Sequence, residues 1–221
     1  MKRNELISRY ERPAKFFAVA LALLWAAGAI FFNAVSCLLL PVFFLLECGL
    51  FFFFIPEPGK NLLRLALLVF AGIAGLEIIN AQSEFIFGEI TFGSTAWVTP
   101  GGIPVLVLLL WTLAVLLVYD IAGKFTEDPF LRSALSAALL VALDFIAEGQ
   151  AFRLDLWHWN YVSPTVRNYL AWFFATFFFA YAGSVLKVEI KNPLSRTIFL
   201  ALLIFFALPV LYFRLFPAFA P

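Results

Sequence analysis

The chain has 221 residues, of which 64% are hydrophobic and 13% charged, and its mean hydropathy is +0.98. Soluble domains carry about 25% charged residues, so this composition excludes them and indicates an integral membrane protein. The net charge of +1 gives no reason to expect a nucleic-acid partner. Apolar runs recur that would cross a hydrocarbon core about 30 Å thick as helices, and the period-2 alternation of a membrane barrel is missing.

The hydropathy pattern predicts an all-α polytopic transmembrane helix bundle that forms a single domain over residues 1–221. Seven helices are expected, at residues 15–36, 38–55, 61–82, 103–122, 131–150, 168–187 and 196–216. The first two form one apolar run, which we expect to break near Pro41 because proline removes a helix hydrogen bond. If that break is only a kink, the count becomes six. The first apolar run has no cleavage site for a signal peptide, so we expect it to stay in the protein.

The distribution of Lys and Arg predicts the orientation. Cytoplasmic segments carry an excess of these residues. With the N-terminus in the cytoplasm, twelve of the fifteen fall at inner ends, namely Lys2, Arg3, Arg9, Arg12, Lys15, Lys60, Arg64, Lys124, Arg132, Lys187, Lys191 and Arg196. Only Arg153, Arg167 and Arg214 fall at outer ends. The polar loops 82–102 and 150–167 then both lie on the outer face, where we expect the site, in a prokaryotic cell membrane.

Acidic residues inside predicted helices are the first candidates for function, because an ionisable group in a bilayer costs about 2.5–3.5 kcal/mol on insertion scales. Glu77, Asn80 and Glu84 share one face of the third helix, and Asp144 and Glu148 share one face of the fifth. Both sets lie near outer helix ends. We therefore expect the four acids to face one polar pocket.

Carboxyl groups crowded into a low-dielectric pocket cannot all ionise, so a protonated donor and an ionised base can coexist. This predicts acid–base chemistry by Glu77, Asp144 and Glu148 without a metal or other cofactor. The alternative is that Arg153 and Arg167 pair with the acids and only fix the loops. Glu47, in the second helix, either contributes to the site or locks two helices together. Asp120 and Glu189 are expected to be solvated at inner helix ends, and Cys37 and Cys48 to be packing residues.

Aromatic residues accompany the acidic pair. His158 lies between Trp157 and Trp159 and is either a hydrogen-bonded anchor or a catalyst. These tryptophans, with Trp97 and Trp172, fit the aromatic belt at a membrane interface, but aromatic faces also stabilise cations. We therefore count Glu47, Asn80, Glu84, Trp97, Trp157, His158, Trp159, Asn168 and Trp172 as candidate substrate-binding residues.

Several known membrane classes are excluded by their motifs. The seventh span has no Lys for a retinal Schiff base, and a Walker A loop, HExxH, GxSxG and the Asp-rich repeats of intramembrane prenyltransferases are all missing from the sequence.

The sequence resembles the membrane carotenoid-biosynthesis proteins, which include hydratases of the bisanhydrobacterioruberin type. Residues 87–92 (FGEITF), 102–104 (GIP) and Trp111 resemble the FG-x-Y-x-Y, GVP and Trp pattern of that family. The second half resembles it in Asp144, in residues 157–159 (WHW), in Tyr161 and Pro164, and in residues 168–172 (NYLAW). Ile90 and Phe92 occupy positions where the family pattern has tyrosines, and Ala171 a position where it has glycine.

The resemblance implies addition of water to a terminal isoprenoid double bond of a carotenoid, a long apolar polyene that enters from the lipid bilayer. The acids found above fit this chemistry, since one can protonate the alkene while another activates water. A carotenoid isomerase or cyclase starts with the same protonation. A non-enzymatic pigment- or lipid-binding subunit and a proton or ion transporter remain as alternatives, although a transporter needs acids across the whole thickness. The oligomeric state is left open.

Overall fold

The fold is taken from a computed structural model, which describes residues 3–99, 102, 104–160 and 164–217. Within them the chain forms α1 (Arg3–Phe31), α2 (Asn33–Phe53), α3 (Lys60–Ser83), α4 (Val105–Ala122), α5 (Pro129–Ala151), α6 (Val166–Val185) and α7 (Ser195–Leu215). The predicted all-α bundle of seven helices is confirmed. Six of them are long and apolar enough to cross a membrane, with α6 the exception, so the protein is an integral multi-pass membrane protein.

The break in the first apolar run lies at Phe32, and the prediction that it lies near Pro41 was wrong. Pro41 is buried inside α2. A proline removes one hydrogen bond, which neighbouring helices can compensate in a transmembrane helix. The turn lies instead where α1 and α2 can approach closely. A Cβ at Gly28 would collide with the side chain of Ser36 on α2.

Helix α1 begins at Arg3, well before the predicted start at residue 15. The guanidinium of Arg3 donates to the carbonyl oxygens of Ile55, at 3.0 Å, and Phe53, at 3.1 Å. These carbonyls belong to the end of α2, where helical partners run out. The charged start of the chain is therefore helical because it packs against α2.

Helix α4 is the centre of the bundle. Its residues from Leu106 to Ala122 are buried except Leu109, and α2, α3, α5, α6 and α7 all pack against it. This explains why α4 is apolar all round, as expected of a helix buried on every side.

The two polar loops predicted for the outer face meet at one end of the bundle through a short antiparallel sheet. Strand β1 (Ile90–Phe92) pairs with β2 (Trp157–Trp159), with Ile90 opposite Trp159 and Phe92 opposite Trp157. A 3₁₀ turn at Ser94–Ala96 follows β1. The sequence did not predict this sheet, which ties the loop after α3 to the loop after α5.

At the opposite end, Asp120 is buried, so the prediction that it is solvated was wrong. It is 4% exposed. Its Oδ2 accepts a hydrogen bond from Ser195 Oγ at 2.6 Å and pairs with Lys124 Nζ at 3.2 Å, and its Oδ1 accepts from the Lys191 backbone N–H at 3.1 Å. The loop 186–194 folds back over the end of α4 and removes Asp120 from solvent. Glu189 is exposed, as predicted.

Candidate active site

A small cavity lies beneath the β1–β2 sheet. It is about 10 Å³ in volume, which is room for about one water molecule. It is lined by Glu77, Phe87, Ile90, Phe92, Val107, Trp111, Asp144, Glu148, Trp157, Trp159, Asn168 and Trp172. The three acids that the sequence analysis selected as catalytic therefore line one cavity.

The carboxyl groups come from two helices. Glu77, 6% exposed, lies on α3 near its end, and Asp144, 1% exposed, lies on α5 one turn before the half-buried Glu148. Residues four apart lie on the same face of a helix, so Asp144 and Glu148 both reach the cavity. The two helices that carry these carboxyl groups, α3 and α5, both pack against α4.

Glu148 is held by two tryptophans of β2. Its Oε2 accepts hydrogen bonds from Trp157 Nε1 at 3.0 Å and from Trp159 Nε1 at 2.7 Å. Alternate residues of a strand point to the same side, so the sequence WHW directs both indoles toward Glu148. N–H donors of this kind form strong hydrogen bonds with a carboxyl oxygen when it is ionised.

The other two carboxyl groups have different partners. Asp144 Oδ2 accepts one hydrogen bond, from Asn168 Nδ2 at 3.0 Å. Asn168 lies in the first turn of α6, where its backbone N–H donates to the Thr165 side chain. Glu77 Oε2 is buried and has no hydrogen-bond partner among the described residues. Glu148 Oε2 thus accepts two hydrogen bonds, Asp144 Oδ2 accepts one, and Glu77 Oε2 accepts none from the described residues.

Aromatic rings form the rest of the wall. The ring centroid of Trp172 lies 5.1 Å from that of Phe87 and 4.8 Å from that of Trp111, and Trp111 lies 6.1 Å from Trp157. The negative faces of such rings attract a cation within about 6 Å. The wall can therefore stabilise positive charge that develops in the cavity.

Asn80 was predicted to bind substrate, but the structure places it beside the cavity as a support. Its Oδ1 accepts hydrogen bonds from the backbone N–H groups of Phe87, at 2.8 Å, and Gly88, at 3.3 Å, and its Nδ2 donates to the Gly88 carbonyl at 2.9 Å. Asn80 thus replaces the missing backbone partners of the loop that leads into β1, and it positions Phe87.

Three further candidates lie away from the cavity. Glu84 is exposed, because α3 ends at Ser83 and Glu84 takes a left-handed conformation that turns it away from the face of Glu77. Trp97 is 45% exposed. Glu47 is wholly buried in α2, and neither of its carboxyl oxygens has a partner among the described residues.

His158 faces away from the carboxyl groups and belongs to a clasp formed with Ser94 and Asp155. Its Nε2 lies 2.8 Å from Asp155 Oδ1, while Asp155 Oδ2 accepts from the Ser94 hydroxyl at 2.6 Å and the Ser94 N–H at 2.8 Å. The hydrogen bonds from Ser94, together with His158, lower the pKa of Asp155. The clasp lies outside the helices and fastens the turn after β1 to the segment before β2.

The arginines do not neutralise the site. The guanidinium of Arg153 lies over the ring of Phe213, 3.7 Å from its centroid, and Arg167 lies beside Gly88. Within the described part of the chain, no ion pair joins either arginine to Glu77, Asp144 or Glu148. The described residues therefore do not form the ion pairs that the alternative interpretation of Arg153 and Arg167 predicted.

Five lining residues were not selected as site residues from the sequence. The sequence analysis named four of them only as part of the family pattern, namely Phe87, Ile90, Phe92 and Trp111. It did not name Val107. Val107 could have been found from its position one helical turn before Trp111. Of the residues in the family pattern, Ile103 and Tyr161 lie outside the described residues. In the described ranges, no group of three or more His, Cys, Asp and Glu side chains could hold a metal ion.

A helical membrane bundle with buried carboxyl groups in an aromatic cavity defines the class of this protein, a multi-pass membrane protein with a cluster of carboxyl groups enclosed among its helices. The chain matches the family model described as carotenoid biosynthesis protein over residues 37–219. It belongs to that family, which confirms the resemblance at this level and supports a role in carotenoid biosynthesis. No curated protein matches the chain. No solved structure matches it either.

Proposed function

We propose that this protein is a carotenoid hydratase that adds water across a terminal isoprenoid double bond. The observation that carries the proposal is the convergence of Glu77, Asp144 and Glu148 on one cavity that has an aromatic wall and room for about one water. Membership of the carotenoid biosynthesis family supplies the substrate class.

Glu77 is the proposed proton donor. No donor reaches its Oε2 within the described residues, so nothing there stabilises a carboxylate. A neutral carboxylic acid suits this environment. The Glu77 O–H proton goes to the terminal side of the double bond, the π electrons form the new C–H bond, and a tertiary cation remains.

Because the cavity holds about one water molecule in this structure, its wall must open to admit the isoprenoid end, and the cation then lies against Trp111, Trp172 and Phe87, whose faces stabilise it. Water attacks the cation and forms the C–O bond. Glu148 accepts the proton that water loses, because two indole N–H groups donate hydrogen bonds to its Oε2 and favour its use as the base. Asp144, which lines the same cavity, passes that proton back to Glu77, and the sum is the addition of one water.

A carotenoid isomerase or cyclase is the second candidate, and the wall formed by Ile90 and Phe92 favours it. These apolar side chains line the cavity in the strand where the family pattern has tyrosines. With few polar groups to hold water, the same cation could lose a proton or be attacked by a neighbouring double bond.

The test is pigment analysis, by chromatography and mass spectrometry, of a carotenoid-producing host with and without this chain. A hydratase gives a product heavier by one water, and Asp144→Asn and Glu148→Gln abolish it while the protein still folds. A product of unchanged mass and shifted retention selects the isomerase or cyclase. Unchanged pigments in several carotenoid backgrounds, together with pigment that co-purifies with the protein, contradict both and favour a binding subunit.

A further inference from the structure

A second recess, an apolar groove, lies at the end of the bundle opposite the carboxyl cavity. It is formed by the start of α1 and the end of α2, and its volume is about 510 Å³. It is lined by Leu6, Tyr10, Pro13, Ala14, Phe17, Leu50, Phe53 and Phe54. This volume is in the range of ligand pockets, about 300–1,000 Å³, and the lining offers almost no polar group.

The dimensions of the groove match one lipid chain. Its lining runs from Leu6 to Phe17 on α1, and the part of α1 from Arg9 to Phe17 rises about 12 Å at about 1.5 Å per residue. Half of a hydrocarbon core of about 30 Å is about 15 Å, the depth of one leaflet. A fatty-acyl chain from one leaflet therefore fits along the groove, and a membrane-spanning polyene would extend beyond it.

The rim of the groove carries more basic than acidic side chains, since Arg9 and Arg12 outnumber Glu5 on this stretch of α1 once the Lys15–Glu11 pair is set aside. The guanidinium of Arg9 lies over the ring of Tyr10, 5.6 Å from its centroid, and Tyr10 itself lines the groove. Arg12 is also exposed on α1. Two neighbouring cations are engaged elsewhere, since Arg3 donates to carbonyls of α2 and Lys15 pairs with Glu11 at 2.6 Å. Arg9 and Arg12 are thus the described arginines beside the groove that are not engaged elsewhere, and Arg9, which lies against the lining residue Tyr10, is the one placed to meet a phosphate.

We propose that this groove binds one acyl chain of an anionic phospholipid, whose phosphate pairs with Arg9. The charge at the rim selects this occupant over a hydrocarbon polyene, which has no anionic group to pair. Juxtamembrane basic residues attract anionic lipid by an amount equal to about fivefold in affinity for each cation. The proposal does not depend on the reaction in the carboxyl cavity.

The experiment is native mass spectrometry of the purified full chain after equilibration with equal amounts of palmitoyl-oleoyl phosphatidylglycerol and phosphatidylcholine. We expect wild type to retain one phosphatidylglycerol in several-fold excess over phosphatidylcholine. Arg9→Gln should lower that preference about fivefold, and Ala14→Trp should remove retention by filling the groove. The matched controls, Arg214→Gln near the other end of the bundle and Leu24→Trp on the exposed side of α1, should behave as wild type.

Equal retention of the two lipids by wild type, or unchanged retention in Ala14→Trp, would overturn the proposal. So would retention of a polyene that phosphatidylglycerol does not displace. If Ala14→Trp fails to fold, Leu50→Trp fills the groove from α2 and takes its place. Each variant is first checked by its size-exclusion profile and helical circular dichroism, so that loss of lipid is not confused with loss of fold.

Discussion

The indole N–H of Trp159 lies 2.7 Å from Glu148 Oε2 and joins a strand of the β1–β2 sheet to a helix of the bundle. Trp157 donates to the same oxygen from the other end of the three-residue strand. The sheet therefore covers the cavity and also holds the proposed base. A change in the sheet should thus affect chemistry as well as stability.

Replacing Trp159 tests the link between sheet and base. Trp159→Phe keeps an aromatic ring but removes one of the two donors to Glu148. We expect product formation to fall about tenfold or more, because a hydrogen bond to a charged group contributes about 1.5–3 kcal/mol. Trp97→Phe, at an exposed site outside the cavity, is the control and should retain full turnover. Equal turnover in the two variants would contradict the role of the indole N–H.

Glu77→Gln tests the proposed proton donor. The amide has nearly the same shape but cannot deliver the proton, so turnover should fall by about 100-fold or more. The matched control is Glu84→Gln, which lies on the same stretch of chain but is exposed beyond the end of α3. Turnover is measured by mass spectrometry of the pigments at equal protein level. A Glu77→Gln protein that is as active as Glu84→Gln would assign proton donation to another acid.

Asn80→Ala should destabilise the fold rather than the chemistry alone. It leaves the backbone N–H groups of Phe87 and Gly88 without their acceptor. A buried polar group that loses its partner costs about 1–3 kcal/mol, so the free energy of unfolding should fall by about that amount. Denaturant unfolding in detergent measures it. Asn4→Ala, at an exposed position on α1, should change the free energy by less than about 0.5 kcal/mol.

Gly93 tests how closely the two loops must approach. A Cβ at this position would overlap the carbonyl oxygen of Asp155, so Gly93→Ala should separate the clasp from β1 and lower the melting temperature. Gly59 has a similar extended backbone, with φ −75° against −80° at Gly93, and no atom within 4 Å of its added Cβ. Gly59→Ala is therefore the control and should melt like wild type. A wild-type melting temperature for Gly93→Ala would show that the loops can move apart without cost.

The clasp should also make stability depend on pH. Hydrogen bonds from Ser94, with a further contribution from His158, lower the pKa of Asp155 in the folded protein. A carboxyl group with a depressed folded pKa stabilises the fold above its unfolded value, about 3.9, and loses that contribution as pH falls through the folded value. Wild type should lose stability relative to Asp155→Asn below about pH 4. Thermal unfolding at a series of pH values measures the difference. The exposed Glu127→Gln should follow wild type, and parallel curves for wild type and Asp155→Asn would contradict this account.

The sequence determined the architecture because the bilayer leaves few choices. Apolar runs long enough to cross it must be helices, and this gave seven helices and two polar loops at one end. The run with no polar face became the central α4. Helix ends were less predictable, since Arg3 extends α1 by binding carbonyls of α2, a contact between segments about 50 residues apart in the chain.

The tertiary structure decided which polar groups meet. Helical spacing placed Asp144 and Glu148 on one face, and packing of both α3 and α5 against α4 and α6 brought Glu77 to the same cavity. The same spacing predicted that Glu84 would also face the cavity. Helix α3 instead ends at Ser83, and Glu84 itself takes a left-handed conformation beyond the helix. The pairing of β1 with β2 and the burial of Asp120 likewise depend on residues far apart in the chain. Sequence periodicity describes one helix at a time, and a site made of several helices and loops is set by contacts that no single segment encodes.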